Sequence, residues 1–206
     1  MRLNVSEKDF PTAGNFVYLN AANVALMYGG AQQVMREWQE DVAWNGSNNF
    51  NENAEESVFQ ELHFAASRLI NADQEDIAAG SSATELLCSL AWAVSPLKNQ
   101  NVVSTEIVFP STIYPWQRVA NATGFEIRLA KEKNNFINVD DIIALIDKET
   151  SAVSISHVEY GNGQTFDLGL VAEAAHDHNA LLVVEATQSA GAIPIEVQQC
   201  PVDILI

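Results

Sequence analysis

The sequence predicts an α/β fold, a mostly parallel sheet covered by helices on both faces. Two observations carry that expectation. From residue 76 onward, short apolar runs alternate with helix-length segments, the texture of successive βαβ units. The runs themselves, such as Leu181-Leu-Val-Val184, are apolar without alternation, as strands covered on both faces require. A chain of 206 residues is long enough to bury a substantial core of this kind.

Residues 1–27 read as irregular, with Phe16-Val-Tyr-Leu19 leading into the small, polar run Asn20-Ala-Ala-Asn23. Helical spacing follows over 31–44, with Val34, Met35, Trp38 and Val42 on one side. The turn formers of Asn45–Asn53 interrupt it, and a second helix fits 54–70, carrying Val58, Leu62, Ala65 and Leu69 on one stripe. Strands are expected at 76–79, 101–104, 125–130, 152–157, 180–185 and 203–206. Helices are expected at 82–94, 112–123, 139–146 and 168–179. The change of texture divides the chain into a segment of two helices, 1–75, and an α/β domain, 76–206.

Composition excludes several classes of function. Twenty-seven acidic residues against ten basic ones set the formal net charge at -17. Binding to nucleic acid or an anionic membrane draws on Lys and Arg, so neither is an expected partner. An anionic ligand would have to be held by local backbone donors. Cys88 and Cys200 form neither a disulfide framework nor a zinc spacing, and no metal site is expected. The N-terminus lacks an apolar signal core, and no run reaches membrane-helix length, so a cytoplasmic protein is expected.

Four segments would open on one edge of a parallel sheet, outside the carboxyl ends of its strands, where ligands collect in such folds. Ala79-Gly-Ser-Ser-Ala-Thr-Glu85 precedes a helix, so its small residues and first-turn N–H groups suit a phosphate, with Ser82 and Thr84 as hydroxyl donors. Ser82-x-x-Glu85 is also a capping box, which needs no ligand. Phe109-Pro-Ser-Thr-Ile-Tyr-Pro-Trp116 reads as a shaped loop in which Phe109 offers a stacking face, while Tyr114 and Trp116 anchor the loop to the core. Ser156-His-Val-Glu-Tyr-Gly-Asn-Gly163 must turn sharply, and His157 reads as a hydrogen-bonded strand-end histidine. His176 and His178 diverge on their helix and share no metal. Glu185 and Gln188 end the strand at 180–185, a carboxylate for a protonated ring nitrogen and an amide for a neighbouring oxygen. An anion cradle, a flat face, polar turn groups and a carboxylate together suit a phosphorylated heteroaromatic cofactor.

The ordered set Gly-Ser-Ser-Ala-Thr-Glu, Phe-Pro-Ser-x-x-Tyr-Pro-Trp, Ser-His-Val-x-x-x-x-Gly and Val-Val-x-Ala-x-Gln-Ser-x-Gly resembles the class V aminotransferases. These are fold-type I pyridoxal phosphate enzymes that include cysteine desulfurases, kynureninases and isopenicillin N epimerase-like proteins. The resemblance runs from about Tyr18 to Ile206 and makes 76–206 a cofactor-binding large domain, incomplete at its C-terminal side. It implies that Ser82, Ala83 and Thr84 hold the cofactor phosphate, Phe109 stacks on the pyridine ring, Glu185 pairs with the ring nitrogen and Gln188 approaches the ring hydroxyl. Asn20 and Ala21 would lie near the carboxylate of an amino-acid substrate. Phenylalanine at 109 leans toward the epimerase-like and kynureninase-like branches, since many desulfurases carry histidine there.

Two departures qualify the resemblance. Glu185 stands where the family has aspartate, which displaces the carboxylate by about one C–C bond, roughly 1.5 Å. The family's cofactor-linking lysine follows the strand that here reads Asp203-Ile-Leu-Ile206, and none of the lysines at 8, 98, 131, 133 and 148 matches it. The expectation is therefore an N-terminal portion of a homodimeric parent enzyme, with no catalytic residue of its own. The rival expectations are a short noncatalytic paralogue that binds pyridoxal phosphate or a partner, and an unrelated nucleotide-binding α/β domain.

Overall fold

The computed structural model describes residues 9, 10, 15 and 17–206. The readings that fall on residues 1–8, 11–14 and 16 lie outside the described residues. The chain divides into two compact units, 1–61 and 62–206. That division falls before the expected boundary at 75/76. Part of the reason is a backbone bond in which Val197 N–H donates to the Ile70 carbonyl at 2.9 Å, tying the end of the third helix to the α/β unit.

In the first unit, helix α1 spans Gly29–Asn45 and stops at Gly46, whose φ of 60° a residue with a side chain adopts only with strain. None of its residues is buried, and Trp38 and Val34 on the expected apolar stripe are exposed. The single helix expected over 54–70 is two. Helix α2 covers Glu52–Ser57, capped by the Asn51 side chain accepting from Ala54 N–H at 3.1 Å. Helix α3 covers Gln60–Ile70. The Ser57 hydroxyl donates back to the Asn53 carbonyl at 2.8 Å, the local competition that disfavours continuing a helix through serine.

The second unit is built on a five-stranded, all-parallel sheet. Its strands are β1 (Asn101–Thr105), β2 (Glu126–Ala130), β3 (Thr150–Ser156), β4 (Leu181–Glu185) and β5 (Ile204–Leu205), in the order β2-β1-β3-β4-β5. The direction of winding reverses between β1 and β3, so the crevice at their carboxyl ends is the topological switch point. Helices α4 (Ala83–Val94) and α5 (Pro110–Thr123) cover one face, through Leu87, Ala91, Trp116 and Val119 packed on Val102, Ala152 and Val183. Helices α6 (Val139–Ile143) and α7 (Leu168–Asp177) cover the other, through Ile142, Val171 and Ala175 packed on Val153, Ile155 and Val184. Strands buried on both faces explain the unbroken apolar runs. Among the described residues, no helix is long and apolar enough to cross a membrane.

Two expectations need correction. Residues 76–79 form no strand: a 3-10 turn at Gln74–Asp76 leads into extended backbone without a place in the sheet. An extended conformation becomes a strand only where a neighbour completes the ladder. The segment from Phe109 to Trp116 is not an irregular loop either, because α5 begins at Pro110. Proline suits the first position of a helix, since its missing N–H has no partner there anyway. Pro115, one turn later and buried, sacrifices one early backbone bond without ending the helix.

Two outcomes are expected in unfolding experiments. Ile155 is wholly buried, so Ile155→Ala should lower stability by about 2–5 kcal/mol in urea unfolding. Arg128 Nη1 lies 2.5 Å from Asp147 Oδ2, and that hydrogen bond, aided by others, lowers the Asp147 pKa from 3.8 to about 2. A depressed carboxylate contributes stability that is present above 3.8 and lost as pH falls toward 2. Both partners are partly exposed, so Arg128→Ala should cost less than about 1 kcal/mol at neutral pH. In acid titration the difference between the two proteins should vanish by about pH 2.

Candidate functional site

The register of β3 against β4 pairs Ser156 with Glu185, so their side chains leave the sheet on the same face. Ala152, four residues before Ser156, and Val183, two before Glu185, belong by the same alternation to the α4/α5 face, and Glu185 therefore points that way. Its carboxylate is almost wholly buried. Ser156 Oγ donates to Oε2 at 3.1 Å, and Thr187 N–H donates to Oε1 at 2.8 Å. The side chain is thus held in place by its own strand neighbour and by the turn that follows. Gln188 lies in that turn, and its buried Oε1 has no hydrogen-bond partner among the described residues.

His157 is one residue further along β3 and so projects toward the α7 face, away from Glu185. The two are linked only through the backbone, His157 N–H donating to the Glu185 carbonyl at 2.9 Å. The hydrogen-bonded side chain expected for it is absent: Nδ1 is buried without a partner among the described residues, and burial lowers its pKa. His176 bonds Asp203 at 2.8 Å, and no cluster of metal-ligating side chains occurs among the described residues.

At the start of α4 half of the expected capping box forms, and the Glu85 carboxylate reaches one residue further back than the cap. Ser82 Oγ accepts from Glu85 N–H at 3.2 Å, and the Glu85 carboxylate accepts from both the N–H and the hydroxyl of Ser81 at 2.7 and 2.6 Å. Those bonds hold the Glu85 pKa below its ordinary value. The first-turn N–H groups of Ala83 and Thr84 have no intrahelical acceptor, as at any helix start. Phe109 precedes Pro110 as the cap of α5, and its partly exposed ring meets the Tyr160 ring edge-on, with centroids 5.1 Å apart at 82°. Asn20 and Ala21 are exposed and belong to the other compact unit.

Sequence reading assigned no role to Glu159, which closes the switch point. It is 1% exposed, accepts from Thr105 Oγ1 at 3.1 Å, and has a second oxygen without a partner among the described residues. Burial, opposed by the Thr105 bond and reinforced by the charge of Glu185, raises its pKa to about 7. The only signal in the sequence was a second carboxylate just after a strand, two residues beyond His157.

The model of the family described as Aminotransferase class-V matches residues 17–206. The "Uncharacterized aminotransferase YcbU" of Bacillus subtilis is 26% identical over 196 residues, which cover 95% of this chain and 51% of that protein. A kynureninase of Geobacillus thermodenitrificans is 30% identical over 142 residues, 66% of this chain and 33% of that one. Among solved structures, a C-DES mutant with glycine covalently linked to its PLP cofactor superposes with a TM-score of 0.85 at 19% identity, covering 98% of this chain and 55% of that one. The cysteine desulfurase CsdA of Escherichia coli gives 0.81 at 21% identity, covering 96% and 52%. At such identities the superpositions establish the fold. The chain spans about half the length of the curated relatives that it matches end to end.

The buried Glu159 carboxyl makes stability pH-dependent in the opposite sense to Asp147. A raised folded pKa contributes stability that is complete below 4.5 and lost as pH rises through about 7. Urea unfolding should show the wild type losing stability across that interval relative to Glu159→Gln, by at most about 3 kcal/mol.

Proposed function

The chain belongs to the aminotransferase class-V family, and from that premise we propose that its second unit is the pyridoxal phosphate-binding part of an enzyme acting on an amino acid or amino-acid-like substrate. The observation that carries the proposal is the Glu185 carboxylate, buried at the carboxyl end of β4 and already held by Ser156 and Thr187. A buried anion is costly unless paired, and two neutral donors leave room for a cationic partner. A protonated pyridine nitrogen is such a partner.

The other residues fit the same ring. Gln188 Oε1 lacks a donor, which a ring hydroxyl would supply. Phe109 keeps part of its ring exposed for stacking. The N–H groups of Ala83 and Thr84, with the Ser82 hydroxyl nearby, suit a phosphate at the start of α4. That contact needs no basic side chain, in keeping with a chain of net charge -17. Bound there, pyridoxal phosphate would act as an electron sink for the substrate α-carbon. Glu185 would keep the ring nitrogen charged, and Phe109 would set the plane of the ring. Lys131, Lys133 and Lys148 sit in surface ion pairs with Glu106, Asp141 and Glu149, which supports the expectation that none of them is the cofactor-linking lysine. The resulting role for this unit is cofactor binding and ring activation.

The proposal is tested by titrating the 206-residue chain with pyridoxal phosphate and following cofactor absorbance. Saturable perturbation is expected, weakened at least about tenfold in Glu185→Gln, where a charge-assisted bond is lost. Thr84→Pro, which removes one phosphate-facing N–H near the helix start, should also weaken it. Circular dichroism checks that both variants fold. A folded wild-type chain that leaves the absorbance unchanged would overturn the assignment.

A further inference from the structure

The carboxyl edge of the sheet holds a second polar feature that the proposed cofactor contacts leave unused. A cavity of about 430 Å³ opens at the switch point, lined by Glu106 and Ile107 after β1, Asn135 in the turn after β2, and Glu159, Tyr160 and Asn162 after β3. Its polar groups are largely matched to one another. Glu106 is ion-paired with Lys131 and accepts from Glu132 N–H at 3.2 Å, and Asn162 Nδ2 donates to the Asn135 carbonyl. Glu159 is the exception, with one oxygen on Thr105 and the other on nothing among the described residues.

A carboxyl group this deeply buried, with an oxygen unsatisfied, needs an explanation in a folded protein. In its ionised form the group calls for a hydrogen-bond donor, and best of all a charged one. The groups around Glu159 narrow its nature. Glu185 on β4 contributes a negative charge, Glu106 on the β1 side is already neutralised by Lys131, and His157 beside it is held toward its neutral form by burial. No basic residue lines the cavity among those described. The Tyr160 ring, half exposed at the mouth, adds an electron-rich face that favours a cation. A side-chain carboxylate entering here would meet repulsion, whereas an ammonium would meet only Lys131, whose charge is already matched by Glu106.

We propose that the cavity walled by Glu159 and Tyr160 is a subsite for a cationic nitrogen, the ammonium or guanidinium end of an amino-acid side chain. The proposal deepens the reading of this edge as an amino-acid site and rests on it, but it concerns this chain's own residues and needs no cofactor to be tested. The subsite would select basic side chains over acidic or apolar ones of similar length. Because the Glu159 carboxyl is half-ionised near neutrality, cation binding would draw it into the carboxylate form with release of a proton.

The test is a backbone-amide NMR titration of the 206-residue chain with L-lysine, and separately with L-norleucine, which has the same chain length without the charge. L-Lysine should shift the amides of Glu106, Ile107, Tyr160 and Asn162 saturably. Its affinity should rise about tenfold from roughly pH 6 to pH 8, following ionisation of Glu159. In Glu159→Gln, nearly isosteric and neutral, the affinity should drop at least about tenfold and the pH dependence should disappear. Tyr160→Leu, an exposed position, should weaken binding several-fold and keep the pH dependence. Equal binding of L-norleucine, an unchanged Glu159→Gln titration, or no saturable shift at these amides would each overturn the subsite. Because pyridoxal phosphate absorbance is read independently, cofactor binding without lysine binding refutes the subsite alone. Loss of both refutes the reading beneath it.

Discussion

The last rung of the β3–β4 ladder is the interaction on which the rest depends. Pairing Ser156 with Glu185 brings a hydroxyl within 3.1 Å of a buried carboxylate and orients it toward the α4/α5 face. A parallel ladder tolerates no slip of one residue, because every side chain would change face and the two apolar clusters would be lost together. The packing of Val153, Ile155, Leu182 and Val184 on one side, and of Ala152 and Val183 on the other, therefore also positions the acidic group. Core and site are specified by the same register.

The strand order then decides what gathers around that group. With β1 and β3 adjacent and winding in opposite directions, their exit loops diverge and leave a crevice between them. Thr105 and Glu159 meet across it, and Phe109 and Tyr160 meet at its rim. The edge carries two buried carboxyl groups, Glu159 and Glu185, in a chain already rich in negative charge. Burying both is unfavourable without counter-charges. The structure moderates that cost differently at each: hydrogen bonds from Ser156 and Thr187 hold Glu185, whereas Glu159 keeps its proton up to about pH 7. Two buried acids at one edge favour cationic partners over anionic ones there.

Much of the fold was legible because its signals are local. The apolar run of β4, the short Val- and Ile-bearing segments of β1 and β3, and the helix-length segments of α4 and α7 follow from residues close in sequence. The misreadings came where local signals conflict. Two prolines in the segment after Phe109 suggested a loop, yet one is a favourable helix start and the other is tolerated within the first turns. Residues 76–79 have strand-like composition but no place in the ladder, and ladder partners are distant in sequence. Likewise Val58 and Leu62 fit a helical stripe, while the back-bonding hydroxyl of Ser57 marks where the helix breaks.

By itself the sequence determined the class of fold, the location of Glu185 and Gln188 at a strand end, and the family, since ordered motifs and hydrophobic period survive without coordinates. Only the tertiary structure decided which face each side chain takes. It separated His157 from Glu185 although they are backbone partners, and it made Ser156 the donor that holds the carboxylate. It also turned Glu159 from an ordinary loop residue into a buried acid with a displaced pKa. The reason is physical: burial and the distance between charges depend on which strands become neighbours, and those lie tens of residues apart along the chain.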